Sequence, residues 1–342
     1  LDNKHKSRTT AGPHARILNV EAAHELMAEG WAAADIHVHT LHSYDVIPTR
    51  QVDPLTLYWK ARRRGMTYVT FTDHDSMDAY DQVGRSREGL VPAVEAKILD
   101  PKKVGHTVHI NVYSLDRRQF GEILKIAQTA RDIERLAAYL KDQRLPFIFN
   151  HPFWHEPGET PNLGAIIEIA DLFPVLEYNM GRIDLINGQA LRLAQKKGKG
   201  VAAATDTHVG DVGRAFTLAR GATFSEFFDQ IRTGQSFIVA TDLTLARLKE
   251  ETAIRIRCLF DKTGWLFPKE SLTIDTGNAI LDGIVGRLAQ APAESSGLSG
   301  KILKAFLEAL SRSGIPGSLY VRSQRNLAGR ISVFLENTLV EA

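Results

Sequence analysis

A single cysteine, Cys258, stands in a chain of 342 residues. No intrachain disulfide can form, so nothing ties the fold to an oxidising compartment, and a reducing, cytoplasmic setting is the expectation. No uninterrupted apolar run is long enough to span a bilayer. The first fourteen residues are polar and lack the apolar stretch of a secretory signal. No charge of one sign dominates: 42 Lys and Arg face 40 Asp and Glu, for a formal net charge of +2. That excludes a strongly basic nucleic-acid binder and leaves only local patches, of which Arg62-Arg63-Arg64 at a predicted helix end is the main example. There is no fixed-period repeat, no extensive low-complexity tract and no motif of an activated serine or cysteine nucleophile.

Short apolar runs alternate with longer helical patterns. Strands are expected at 34–38, 68–72, 91–95, 107–113, 147–150, 175–178, 201–205 and 237–240. A helix over 54–64 is announced by Asp53 as N-cap and Pro54 at its first position, and is ended by Gly65. Others are expected at 119–143, 182–197 and 224–233, the last opened by a capping box of Thr223 and Glu226. Strand followed by helix, repeated, reads as a parallel sheet or barrel. The stretch 291–300 has linker composition, and beyond it Ile302, Leu303, Phe306, Leu307 and Leu310 mark one helix face that stops near Gly314 and Pro316. A last helical pattern covers 326–339. These C-terminal helices read as a cap on the main domain, or as an interaction or dimerisation element. The expected layout is an N-terminal segment 1–30, a catalytic unit 31–245 and a helical extension 246–342.

The residues that carry chemistry lie at strand ends. His37 and His39 are two apart in a strand, so they share a face and can hold one metal or two neighbouring ones. Asp206 and His208 repeat that spacing after another apolar run. His74 follows the strand 68–72, Glu95 ends 91–95, His109 lies in 107–113 and His151 directly follows 147–150. A barrel of parallel strands builds its site at that end. Asp73 and Asp75 flank His74 and either orient imidazoles or make turn contacts. His42, His106 and His155 read as background histidines, although they stand near enough to the motifs to remain candidates for supporting the cluster. Glu177 and Asn179 end a strand and are expected to line the pocket; Phe153 and Trp154 are expected to pack in the core, or else to wall the pocket or stack on a base.

The segments DIHVHT, TFTDHD, VPAVEAKI, HTVHINV, IFNHP and ATDTHVGDVGR, in that order from about Ala33 to Thr217, resemble the polymerase and histidinol phosphatase (PHP) family. The resemblance implies an α/β fold, a distorted (β/α)7 barrel, and a site of two or three divalent ions (Mn, Zn or Fe). It implies His37, His39, His74, Glu95, His109, His151, Asp206 and His208 as ligands. It implies Asp45 too, although Asp45 is one residue further on than the family pattern and lacks the glycine that commonly follows. Six neutral histidines and three carboxylates around three ions leave a charge of roughly +3, which suits an anionic ester. The expected reaction is hydrolysis of a phosphate ester by a metal-bridging hydroxide. The expected substrate is a small phosphorylated molecule or a nucleotide; nucleic acid is a weaker candidate. Asp206 and His208 are the expected catalytic residues. Arg214 joins them if Gly210 and Gly213 turn the chain back over the site, where its guanidinium clamps phosphoryl oxygens. Two rival readings remain at this stage: an amidohydrolase-type barrel cleaving a C–N or ester bond, and a PHP module kept for binding without catalysis.

Overall fold

The computed structural model describes residues 16–156, 158–261, 265–267 and 298–339. Ten strands form one curled, mixed sheet with helices around it. In chain order the strands are β1 (Arg16–Ile17), β2 (Ala32–Asp35), β3 (Tyr68–Phe71), β4 (Leu90–Leu99), β5 (Thr107–Tyr113), β6 (Phe147–Phe149), β7 (Val175–Asn179), β8 (Gly200–Ala204), β9 (Phe216–Ala219) and β10 (Phe237–Val239). Their order in space is β1-β10-β9-β2-β3-β4-β5-β6-β7-β8. The edge strand β8 curls back to β2: Val38 and Thr207 form a parallel bridge, Asp206 N–H donates to His37 O (2.9 Å) and His39 N–H to Thr207 O (3.1 Å). Below that bridge β9 lies antiparallel beside β2, and Thr217 Oγ1 ties it to Ala203 of β8.

The all-parallel expectation fails at β5, which runs antiparallel to β4 and to β6. Only seven residues, 100–106, separate β4 from β5. That is enough for a hairpin and too few for a crossover helix. The reversal matters for the site, because the N-terminal end of β5, with His109, then lies among the C-terminal ends of its parallel neighbours. β1 and β9 also escape the sequence reading, being two and four residues long.

The helices are α1 (Val20–Ala28), α2 (Pro54–Arg63), α3 (Asp78–Val83), α4 (Arg117–Leu124), α5 (Ile133–Asp142), α6 (Leu163–Ile169), α7 (Asp184–Lys196), α8 (Phe224–Arg232), α9 (Leu245–Phe260), α10 (Leu298–Ser313) and α11 (Ile315–Leu339). Asp53 caps α2 through the Thr56 amide, and Thr223 with Glu226 forms the capping box of α8. The single helix expected over 119–143 is split. A π-helical stretch, Lys125–Ala130, and Arg131 at φ 53° separate α4 from α5, with Asp132 capping the second part. Because the apolar positions continue across this break, the sequence pattern conceals it.

α8 places Phe224, Phe227, Phe228 and Ile231 in one buried cluster with Ala32, Ala34, Val91, Tyr113, Val175 and Ala202. Those residues come from β2, β4, β5, β7 and β8, with Ala32, Val91 and Val175 near the N-terminal ends of their strands and Tyr113 at the C-terminal end of β5. α8 thus closes one end of the curled sheet, leaving the opposite end for polar side chains. At the C-terminus, α11 lies along α7 and buries Leu327, Ala328, Ile331 and Leu335 in the main core. The linker reading at 291–300 falls outside the described residues except for Leu298–Gly300, which begin α10. Among the described residues no helix is long and apolar enough to cross a membrane.

Candidate metal centre

Glu95 is the hub of a buried cluster. It is 1% exposed. His37 Nε2 lies 3.1 Å from Glu95 Oε2, His39 Nε2 3.2 Å and His74 Nδ1 3.2 Å. On the other oxygen, Oε1, stand His109 Nδ1 at 3.1 Å and His151 Nε2 at 3.5 Å. Asp206 Oδ1 approaches His37 Nε2 (3.3 Å) and His39 Nε2 (3.2 Å) from the far side. Asp45 Oδ2 sits between His208 Nε2 (2.7 Å) and His74 Nε2 (3.4 Å). All nine residues expected as ligands therefore meet at the open end of the sheet, Asp45 included despite its offset. A turn through Ser43 absorbs that offset: Val46 N–H donates to Ser43 O, and Ser43 Oγ donates to Asp45 Oδ1 at 2.7 Å.

The backbone is bent to deliver two of these groups. His151 has φ 25° and Asp206 φ 51°, in the left-handed region that L-residues seldom occupy. Each is held by a compensating hydrogen bond, His151 N–H to Glu177 Oε2 (2.8 Å) and Asp206 N–H to His37 O. Such strain concentrates at functional sites.

The charge balance shows what the cluster is built to receive. Burial opposes charge on His37, yet the carboxylates of Glu95, Asp206 and Glu177 overcome it and raise the ring well above the usual histidine range. His39 is likewise pushed up to about 10 by Asp206 and Glu95 against the effect of burial, and His109 to about 9 by Glu95 and Glu156. Burial alone would raise Asp45, Glu95 and Asp206, but the neighbouring histidines hold all three well below the carboxylate range. The carboxylates thus recruit positive charge to a place that water barely reaches.

Divalent ions fit this donor set. His37 Nε2 and His39 Nε2 are 3.1 Å apart, a spacing that a shared proton or a common cation can bridge. Ligand atoms about 2.0–2.2 Å from a common ion are themselves about 3–3.5 Å apart, which is the spacing found throughout the cluster. His109 Nε2 and His74 Nδ1 are buried without a partner in hydrogen-bond geometry. Four donor groups emerge among the described residues: His39 with Asp45, His74 and His208; His37 with His151 and Glu177; His37 with His39 and Glu95; and His74 with Glu95 and His109. Imidazole and carboxylate without thiolate suit Mn, Fe or Zn.

Glu177, expected only to line the pocket, does more. Its Oε1 is 2.7 Å from His37 Nδ1, and its Oε2 accepts from Asn179 Nδ2 (3.0 Å) as well as from the His151 amide. This buried carboxylate fixes the His37 ring so that Nε2 faces the cluster. It also reduces the charge expected for a three-ion site from about +3 to about +2. The signal was present in the sequence: an acidic residue inside the apolar run Val175–Asn179 must be buried with a partner. Asn150 Nδ2 steadies Glu95 Oε1 at 2.7 Å, and Asn179 Nδ2 steadies Asp206 Oδ2 at 3.1 Å.

The arginine at this site is Arg182, not Arg214. Arg214 is 47% exposed and pairs with Asp211 Oδ2 at 3.6 Å. Gly210 and Gly213 do turn the chain, with φ of 88° and 77°. The turn, however, aims the Gly213 amide inward at Asp35 Oδ2 (2.8 Å), which leaves the next side chain outside just before β9. Arg182 instead stacks its guanidinium over Trp154, 5.6 Å from the ring centre, with Nη2 3.9 Å from Asp206 Oδ2 and Nε buried without a hydrogen-bond partner. Trp154 also covers His109 and His151, at 4.8 and 5.1 Å between ring centres, while Phe153 is core. Across the cluster Lys97 pairs with Glu156, and Tyr44 stacks on His74 at 4.8 Å.

Other expected supports have structural duties. Asp73 accepts from the Thr40 amide (2.6 Å) and hydroxyl (2.7 Å), and Asp75 from the Lys97 amide (3.3 Å), so both tie separate segments of the chain together rather than hydrogen-bonding an imidazole. His42 bonds Gln82 at 2.8 Å, His155 faces Glu156 O at 3.1 Å and His106 takes the Asn162 amide at 3.4 Å, all outside the cluster. In the basic run, Arg62 pairs with Glu88 and Arg64 bonds Val212 O.

No protein-family model matches the chain, and no curated protein matches it. Partial likeness is found among solved structures. PsfC from Pseudomonas syringae is 21% identical, with 62% of this chain and 92% of that one covered and a TM-score of 0.44. The lesion-specific endonuclease PfuEndoQ from Pyrococcus furiosus is 16% identical over 61% of this chain and 57% of that one, with a TM-score of 0.43. An amidohydrolase from Chromobacterium violaceum, crystallised with sulfate, is 15% identical over 59% and 96%, with a TM-score of 0.41.

Proposed function

We propose that the chain is a metal-dependent phosphoesterase with a PHP-type barrel, using two or three divalent ions (Mn, Zn or Fe) to hydrolyse a phosphate ester of a small molecule or nucleotide. The supporting observation is the convergence of His37, His39, Asp45, His74, Glu95, His109, His151, Asp206 and His208 around one buried carboxylate. Residues 31–245 form the proposed catalytic unit, 1–30 precede it, and 246–342 are its helical extension.

When bound, such ions supply Lewis acidity and lower the pKa of water toward neutrality. The chain's residues do the rest. Glu177 and the two asparagines orient the ligands. Asp206 stays ionised, and its Oδ2, beside Asn179 and Arg182, is placed to accept a hydrogen bond from water at the cluster and so to orient it. His208, at the solvent side between Asp45 and Asp206, stands beside the cavity through which the departing alcohol would leave. Arg182 offers a planar fork to phosphoryl oxygens, and Trp154 keeps water from the rings beneath it. An excess of positive charge in the loaded cluster favours an anionic ester over a neutral amide.

The test loads the purified chain with Mn, Zn or Fe. Sugar phosphates, histidinol phosphate, nucleotides and short oligonucleotides are then assayed beside amides and carboxylic esters. Turnover of phosphate esters that chelator abolishes is expected. Turnover of amides alone contradicts the proposal in favour of amidohydrolase chemistry, and metal binding with no turnover favours a binding module.

A further inference from the structure

The nine-ligand cluster opens on one side into a cavity of about 340 Å³, lined by Asp45 and His208 of the cluster, by Ile47, Thr49 and Gln51, and by α9. A volume of that order is what small-molecule pockets offer. Its far wall is one face of α9, carrying Ile254, Arg257 and Cys258 at helical spacing, with Arg255 beside them. The wall is tied in place from below. Trp265 Nε1 donates to Cys258 O at 2.7 Å, the Leu266 amide donates to Pro48 O at 2.8 Å, and Ile47 packs on Leu259. The other wall is equally fixed, because Gly210 lies so close to Gln51 that an added Cβ would meet Gln51 O at 2.6 Å.

The two arginines of this pocket differ from the third on the same helix. Arg247 is paired with both Asp211 and Glu251. Arg255 and Arg257 form no ion pair among the described residues, and yet both line the cavity. Two arginines that line a pocket, neither ion-paired among the described residues, are the chemistry that recognises an anion. Among the described residues the rest of the lining is mostly aliphatic, from Ile47, Val209 and Ile254, with Thr49 and Gln51 as further polar side chains.

We propose that this cavity is the leaving-group pocket, and that it selects phosphate esters whose alcohol part is compact and carries a second anionic group, read by Arg255 and Arg257. The helical extension then supplies substrate choice to the catalytic unit. This assignment rests on the phosphoesterase reading for the word ester, but the anion site itself can be tested without turnover. The binding arm compares butane bisphosphonate, which has no hydrolysable ester, with butylphosphonate on the metal-loaded chain by calorimetry. The kinetic arm compares butanediol bisphosphate with butyl phosphate. The parent protein is expected to prefer the doubly anionic probe at least tenfold in both arms. In the Arg255→Gln, Arg257→Gln double variant that preference should fall to about one, and the Arg255→Lys, Arg257→Lys pair should restore part of it. A merely structural role would move both probes together and leave the preference intact. Preferential binding of the bisphosphonate without hydrolysis of any phosphate ester supports the anion pocket and refutes the phosphoesterase reading. Hydrolysis of both esters with equal efficiency, or a preference that survives the double variant, overturns the pocket and leaves the phosphoesterase reading standing.

Discussion

Replacing Glu177 by Gln is the sharpest perturbation of the site that leaves its shape intact. Three donors converge on this one carboxylate: His37 Nδ1 at 2.7 Å, the His151 amide at 2.8 Å and Asn179 Nδ2 at 3.0 Å. A carboxylate accepts on both oxygens, whereas an amide turns one of them into a donor. Whichever way the Gln side chain sits, an N–H group meets another N–H group. At least one buried donor then goes unsatisfied, at a cost of about 1–3 kcal/mol for each to the metal-free fold. The larger effect is on the ions. Without the carboxylate the His37 ring loses its fixed orientation and part of its basicity, and losses of this kind lower metal affinity about 10- to 100-fold, or roughly 1.4–2.7 kcal/mol. Chelator-competition titration of parent and variant measures the affinity, and thermal melts with and without metal separate it from the fold. A Glu177→Gln protein that binds metal within twofold of the parent would refute the claim that Glu177 orients His37.

The raised histidines predict a pH signature. His39 at about 10 and His109 at about 9 lie above the ordinary value near 6.5, so their contribution to the metal-free fold is complete below about 6.5 and is lost as pH rises through 9–10. Metal-free protein should therefore melt at progressively lower temperature from pH 7 to 10, metal-loaded protein should not, and calorimetry in buffers of different ionisation enthalpy should show protons released on binding; an absence of proton release contradicts this. Arg182→Gln should lower kcat/KM for a phosphate ester about 10- to 100-fold while metals stay bound, and Arg214→Ala should stay within twofold of the parent, as steady-state kinetics will show. Ile331, 1% exposed where α11 meets the core, should cost about 2–4 kcal/mol as Ile331→Ala in denaturant unfolding, and a loss below about 1 kcal/mol would show that α11 is not integral to the fold.

How much of this could be read from the sequence follows from which signals are local. Ligand-type residues were legible because each sits beside an apolar strand run, and because H-x-H and D-x-H repeat one geometry. Asp45 was legible only through resemblance, since a turn and not a strand delivers it. Arg214 was misplaced because the glycines that permit a turn do not say which side of the chain faces inward; the buried Asp35 carboxylate, which decides it by accepting from Gly213, lies 178 residues away. Arg182 was missed for the converse reason. It stands at the start of a helical pattern, where an arginine reads as surface, and only the packing of Trp154 reveals its duty. α9 was missed although Leu245, Leu248, Ile256 and Leu259 repeat at near-helical spacing; of the four, only Ile256 and Leu259 are fully buried. The reversal of β5 was implicit in the seven-residue connection before it, which no parallel crossover can use.

The most direct test of the account is the metal content of the protein. The chain is purified without added metal, incubated separately with Mn, Zn and Fe, desalted and measured by plasma mass spectrometry. Two or three equivalents of divalent metal per chain are predicted, falling by at least one when Glu95, the carboxylate shared by five imidazoles, is replaced by Gln. Less than half an equivalent with every metal, or a content that Glu95→Gln leaves unchanged, would contradict it.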